Sequence, residues 1–241
     1  LSIGGNHLIH AMRRNVDMKM IMFNNRIYGL TKGQASPTSP IGKKTKSTPM
    51  GTIETPIIPL NLVAAAEASF IARSVDTHSE HLQEMMHRAG EHSGAAFLEV
   101  LQNCNIFNDG AWRDFTDKSV KEDRMLVLKH GEPMLFGAEK KKGIRLNGLQ
   151  PEVVTIGENG ITIADLWVHD EADPDATRTQ ILSRMWWPDF PVPVGVFRRV
   201  PRPTHDQLLV EQVESAKAAR AAKGPADLQK LLAAGETWTV S

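Results

Sequence analysis

The 241 residues include 41% hydrophobic side chains, enough for an α/β domain with a sizeable core and an appended lobe. Lys plus Arg balances Asp plus Glu at 28 each, so the basic excess that nucleic-acid binding uses is missing. No apolar run approaches the roughly 20 residues of a bilayer span and no leader pattern opens the chain, so a cytoplasmic protein without a membrane partner is expected.

The chain starts at Leu1 and runs at once into Gly4-Gly5, as a fragment or trimmed chain would. Asn6 is a plausible N-cap for a short helix carrying Leu8, Ile9 and Met12 and closing at Arg13, Arg14 and Asn15. Residues 18–23 form an apolar run broken only by Lys19, which predicts a buried strand.

From 32 to 59 the composition turns to Ser, Thr, Gly, Lys and Pro, with prolines at 37, 40, 49, 56 and 59. Such a stretch argues against a helix or central strand, and its place after the strongest motif favours a functional loop. Then follow a predicted Ala-rich helix over 60–69, a strand over 70–75, a helix over 79–89 with Leu82, Met85 and Met86 on one side, and a strand over 96–101. This alternation predicts a doubly wound parallel sheet with its functional loops at the strand C-termini.

Beyond Asn105 the pattern loosens. Short strands are expected at 124–129, 143–146, 153–156 and 161–168, then a helix over 173–185, a Pro-rich segment over 187–203 and a charged Ala-rich helix over 204–222. The expected division is an α/β domain over 1–122 and a C-terminal extension wrapped on it over 123–241.

The sharpest motif, Phe23-Asn24-Asn25-Arg26-Ile27-Tyr28-Gly29-Leu30-Thr31-Lys32-Gly33-Gln34, stands where the first strand ends. A carboxamide there offers a hard oxygen to a cation such as Mg²⁺, and the carbonyl two residues on points the same way. Read locally, Asn-Asn after a strand is a turn, Leu30 a core leucine and Lys32 a solvated lysine.

With Leu1-Ser2-Ile3-Gly4-Gly5-Asn6-His7 and Gln102-Asn103-Cys104-Asn105-Ile106-Phe107-Asn108, this motif resembles the β subunits of 2-oxoacid:ferredoxin oxidoreductases, most of all the 2-oxoglutarate type. The Pro-Asp-Phe-Pro-Val-Pro-Val-Gly-Val-Phe run over 188–197 extends the likeness toward the C-terminus. The resemblance implies a thiamine-diphosphate fold whose Gly-Asp-Gly motif would fall immediately before Leu1. It implies Asn25 and the Ile27 carbonyl as Mg²⁺ ligands, and a cofactor-binding turn of Asn25, Ile27, Tyr28, Gly29, Leu30 and Thr31. Leu30 and Lys32 would border the substrate, and Cys104 would be one ligand of a four-iron four-sulfur cluster whose other cysteines lie upstream of the cofactor motif.

The implied reaction is oxidative decarboxylation of 2-oxoglutarate with coenzyme A, giving succinyl-CoA, carbon dioxide and reduced ferredoxin, in a heterodimer with an α subunit. A pyruvate or broad-specificity relative, a non-catalytic assembly subunit, and a thiamine-diphosphate enzyme unrelated to electron transfer are the alternatives. No residue of this chain is assigned as a catalytic acid or base.

The remaining signals are local. Gly4-Gly5-Asn6-His7 opens a helix whose free amides could face a diphosphate, though a plain cap explains Asn6 equally well. A lone cysteine rules out an internal disulfide, and taken alone Cys104 reads as a small buried hydrophobe. Lys43, Lys44 and Lys46 could meet acidic ends of substrate or coenzyme A, or simply be solvated. The nine histidines show no metal spacing, and no G-x-S-x-G motif or isolated carboxylate pair supports a hydrolase.

Overall fold

The computed structural model describes residues 3–221, 228–236 and 238. In chain order these form α1 (Gly5–Arg14), β1 (Lys19–Asn24), α2 (Pro59–Ala65), β2 (Phe70–Val75), α3 (Ser79–Glu91) and β3 (Ala96–Leu101). Then come α4 (Arg113–Thr116), α5 (Lys121–Arg124), β4 (Met125–Val127), β5 (Leu135–Phe136), β6 (Lys142–Asn147) and β7 (Gln150–Thr155). A 3₁₀ turn (Ile163–Asp165), α6 (Thr177–Ser183), β8 (Val192–Arg199), α7 (His205–Ala221) and α8 (Leu228–Leu232) complete the order. None of the described helices is long and apolar enough to cross a membrane.

The main sheet has the order β1-β3-β2-β8-β4, and a separate antiparallel sheet has the order β5-β6-β7. β1, β3 and β2 run parallel, whereas β8 is antiparallel to β2 and β4 is parallel to β8. The α/β class is as expected, but the sheet is mixed rather than wholly parallel. The reversal comes from the 187–203 segment, expected as a Pro-rich wrap, which instead supplies an internal strand. Its buried Val192, Val194, Val196 and Phe197 outweigh the proline signal. Pro193 lies outside the β2–β8 register, so its missing N–H leaves no bond unmade on that side.

Helices cover both faces. Leu8 and Met12 of α1 and Leu60, Val63 and Ala64 of α2 pack on one face, in a cluster that also takes Leu126, Ile144 and Trp167 from the C-terminal half. Met85 and Ala89 of α3 pack on the other face against Phe70, Ala72, Leu98 and Val196. Sheet and core thus both run across the boundary expected at 122/123.

Local differences have local causes. Gly4 occupies the α1 N-cap position without a side-chain bond, and Asn6 lies exposed inside the helix rather than capping it. α2 stops before 69 because Glu67 adopts a left-handed φ of 59° and the Ala68 amide turns back to the Val63 carbonyl. Over 161–168 a capping box between Thr162 and Asp165 winds a 3₁₀ turn where a strand was expected, leaving Val168 a single bridge to Pro133. α6 begins only at Thr177, since the Asp173 and Asp175 carboxylates accept amide bonds two residues on and hold turns instead. β1, expected to be buried, is an edge strand, with Ile21 and Phe23 about half exposed while Met20 and Met22 pack inward.

Candidate cofactor site

β1 and β3 are parallel neighbours whose ends, Asn24 and Leu101, stand in register. The loops that follow therefore leave the same edge of the sheet and meet. The Asn108 side-chain amide donates to the Asn25 carbonyl at 2.8 Å, and Asn25 Nδ2 donates to Gln102 Oε1 at 3.4 Å. The Asn24 carbonyl accepts from the Gln102 amide at 3.0 Å and from the Trp112 indole at 2.9 Å.

Asn25 makes an Asx turn, its Oδ1 accepting from the Ile27 amide at 3.2 Å. Arg26 between them holds a left-handed φ of 56°, and its guanidinium lies 3.7 Å above the centre of the Trp112 ring. Burial pushes the Arg26 guanidinium down to about 10, partly offset by the Glu99 carboxylate, so it stays charged at neutral pH.

Tyr28 and Gln34 form an isolated antiparallel bridge that closes 28–34 into a tight loop. The Gly33 amide and Thr31 hydroxyl both bond the Tyr28 carbonyl, at 3.0 and 3.3 Å, and the Lys32 amide bonds the Gly29 carbonyl at 3.0 Å. Lys32 and Gly33 both have positive φ, and a Cβ at Gly33 would stand 3.3 Å from the Phe107 ring, so the glycine is required there. Leu30 projects from the loop, 98% exposed, which rules out a core role; Lys32 is exposed beside it, while Ile27 is buried beneath.

The 32–59 stretch is held to this turn through buried hydroxyls. Thr38 donates to Asn24 Oδ1 at 2.8 Å and Ser39 donates to the Arg26 carbonyl at 2.6 Å. Lys43 reaches Asn108 Oδ1, whereas Lys44 and Lys46 are exposed. Cys104 is half-buried in the β3 loop, its carbonyl accepting from the Asn108 amide at 2.9 Å. Cys104 and Asn25 are thus both tied to Asn108.

Beneath the turn lies a charged pair that sequence reasoning missed. Arg73 Nε donates to Glu99 Oε2 at 2.8 Å with both side chains fully buried, and Glu99 Oε1 accepts from Asn24 Nδ2 at 2.7 Å. The available signal was a single charge inside each of two apolar runs, 70–75 and 96–101. Thr38, Ser39 and Trp112 carried no spacing signal.

Asn25 Oδ1 and the Ile27 carbonyl are hard, neutral oxygens of the kind Mg²⁺ takes, but they are only two donors, so a bound Mg²⁺ would need further oxygens from water, a diphosphate or other protein groups. No cluster of three or more His, Cys, Asp or Glu fit for a metal occurs among the described residues. One thiolate of the four that an iron–sulfur cluster needs comes from this chain, so these residues alone do not fit a cluster.

Residues 1–100 match the thiamine pyrophosphate enzyme, C-terminal TPP binding domain. The 2-oxoglutarate oxidoreductase subunit KorB of Mycobacterium tuberculosis is 45% identical over 241 residues, covering all of this chain and 64% of that protein. The 2-oxoacid:ferredoxin oxidoreductase subunit beta of Saccharolobus solfataricus is 44% identical over 120 residues, half of this chain and 39% of that one. Among solved structures, the 2-oxoglutarate:ferredoxin oxidoreductase from Magnetococcus marinus, with 2-oxoglutarate, coenzyme A and succinyl-CoA bound, superposes with a TM-score of 0.64 at 27% identity. That match takes in 98% of this chain and 64% of the other, so the chain spans just under two thirds of both the mycobacterial and the Magnetococcus proteins. Sequence likeness over its full length, a match to a thiamine pyrophosphate-binding domain and a shared fold make the chain similar to the β subunits of 2-oxoacid:ferredoxin oxidoreductases.

Proposed function

We propose that this chain is the cofactor-binding part of the β subunit of a 2-oxoglutarate:ferredoxin oxidoreductase. In a cytoplasmic assembly with an α subunit, it converts 2-oxoglutarate and coenzyme A to succinyl-CoA and carbon dioxide and passes electrons to ferredoxin. The observation that carries the reading is the Asn25–Ile27 turn, fixed at the C-terminal edge of the sheet inside a chain similar throughout to the mycobacterial KorB.

Asn25 Oδ1 and the Ile27 carbonyl would hold Mg²⁺, and Tyr28, Gly29, Leu30 and Thr31 would border the cofactor. Thiamine diphosphate, when bound, supplies the carbanion chemistry by which a 2-oxoacid loses carbon dioxide. Exposed Leu30 and Lys32 meet the substrate, the leucine excluding water and the lysine drawing in a carboxylate. Cys104 contributes one ligand to a four-iron four-sulfur cluster completed from outside these 241 residues.

The test is ferredoxin reduction by the full-length subunit co-purified with its α partner, with 2-oxoglutarate or pyruvate as substrate. Turnover on 2-oxoglutarate that Asn25→Ala abolishes supports the reading. Preference for pyruvate moves the substrate, and no turnover despite bound cofactor and an intact cluster rejects the reaction.

A further inference from the structure

Asn24, the first of the two asparagines, is held at every polar atom of its side chain. Its Nδ2 donates to Glu99 Oε1 at 2.7 Å, and its Oδ1 accepts from the Thr38 hydroxyl at 2.8 Å and the Arg26 amide at 3.3 Å. Glu99, paired through its other oxygen with Arg73, acts only as an acceptor, which fixes the end of the Asn24 carboxamide that carries hydrogens. Both lone-pair sites of Oδ1 are then taken. Asn24 has no side-chain oxygen left for a cation.

The same contacts join three parts of the molecule. Glu99 and Arg73 belong to β3 and β2, Thr38 belongs to the long Ser/Thr/Pro loop, and Asn24 is the last residue of β1. Arg26 holds a left-handed φ of 56°, and from outside the turn Ser39 grips its carbonyl at 2.6 Å beside the Thr38 contact. Asn25, which carries the side-chain Oδ1, and Ile27, which carries the backbone carbonyl, flank Arg26 on either side.

We propose that Asn24 is a positioning residue through which Glu99 and Thr38 set the metal-facing turn, coupling the order of the 32–59 loop to Mg²⁺ affinity. The proposal rests on the reading of Asn25 and Ile27 as Mg²⁺ ligands. Glu99 anchors the carboxamide from the sheet side and Thr38 from the loop side; freeing either lets the turn drift while leaving both ligand groups present. A group acting behind a metal ligand in this way changes metal affinity by about 10–100-fold when lost.

The experiment uses the full-length subunit with its α partner. It measures the Mg²⁺ concentration that half-saturates thiamine diphosphate binding, by calorimetry, and the melting temperature of the metal-free complex. Thr38→Val should raise the half-saturating Mg²⁺ about tenfold. Ser74→Ala, which removes a buried hydroxyl bonded to His81 away from the turn, should lower melting and leave the Mg²⁺ dependence alone. Asn24→Asp sets two carboxylates face to face and should weaken Mg²⁺ about 100-fold. Adding Glu99→Gln to it restores a donor–acceptor pair at unchanged cluster charge and should recover most of the loss.

A Thr38→Val complex that melts lower yet keeps its Mg²⁺ dependence overturns the proposal, as does a double variant no better than Asn24→Asp. Asn25→Ala separates the two levels. If it leaves the Mg²⁺ dependence intact the ligand reading itself fails; if it abolishes binding while Thr38→Val changes nothing, only the positioning role fails.

Discussion

Asn24 Nδ2 lies 2.7 Å from Glu99 Oε1 in a diagonal contact between β1 and β3, Glu99 itself standing in register with Met22. A charge from the sheet interior therefore reaches the last residue of the edge strand. The Arg73–Glu99 pair that makes this possible has no exposure, and Arg73 Nη2 has no hydrogen-bond partner. Such a pair tolerates the loss of either member poorly.

Glu99→Ala should destabilise the full-length subunit by about 3–5 kcal/mol, because it leaves the Arg73 guanidinium buried without a counter-charge. Denaturant unfolding followed by circular dichroism reads the change. Glu99→Gln, which keeps an acceptor for Arg73, should cost less than the alanine variant.

Trp112→Phe removes the indole N–H that bonds the Asn24 carbonyl at 2.9 Å and keeps a ring beneath Arg26. A loss of about 1 kcal/mol in unfolding free energy is expected from one buried hydrogen bond. Faster amide exchange confined to residues 24–27 would locate the effect at the turn.

His81 and His92 give the fold a pH dependence. Burial pushes both down to about 4 from an ordinary 6.5, helped at His81 by the neighbouring His78 and at His92 by Lys19. The unfolded chain takes up protons on these rings from about pH 6.5 downward, whereas the folded chain does so only near 4. Their destabilising effect is therefore absent above pH 6.5 and grows as pH falls toward 4. Melting temperature should drop across that window, and His92→Gln, which keeps a polar partner for Ser69, should flatten the drop.

Gly195→Ala should weaken the junction of β2, β8 and β4. Gly195 has a φ of 122°, and a Cβ there would stand 2.9 Å from the Leu128 carbonyl. Strain plus a backbone clash costs about 2 kcal/mol or more, read as a lower unfolding midpoint. Gly157→Ala, also at positive φ but with open space around its Cβ position, should cost less.

The β2 and β3 strands and the α3 start were legible because continuous apolar runs and a 3.6-residue stripe are local properties. The Asn25–Ile27 turn was legible because an Asx turn needs only neighbouring residues. β8 was not: Pro191 and Pro193 argued against a strand, and only the register with β2 and β4 shows where an N–H can be spared.

The amino-acid sequence by itself determined the α/β class, the family resemblance and the turn that follows the first strand, since each rests on side-chain type and short spacing. Only the tertiary structure decided that residues on both sides of position 122 build one sheet, and that Glu99, Thr38 and Trp112 converge on Asn24 from 14 to 88 positions away. Contacts at such separations depend on the order in which strands assemble, and strand order leaves no periodic trace along the chain.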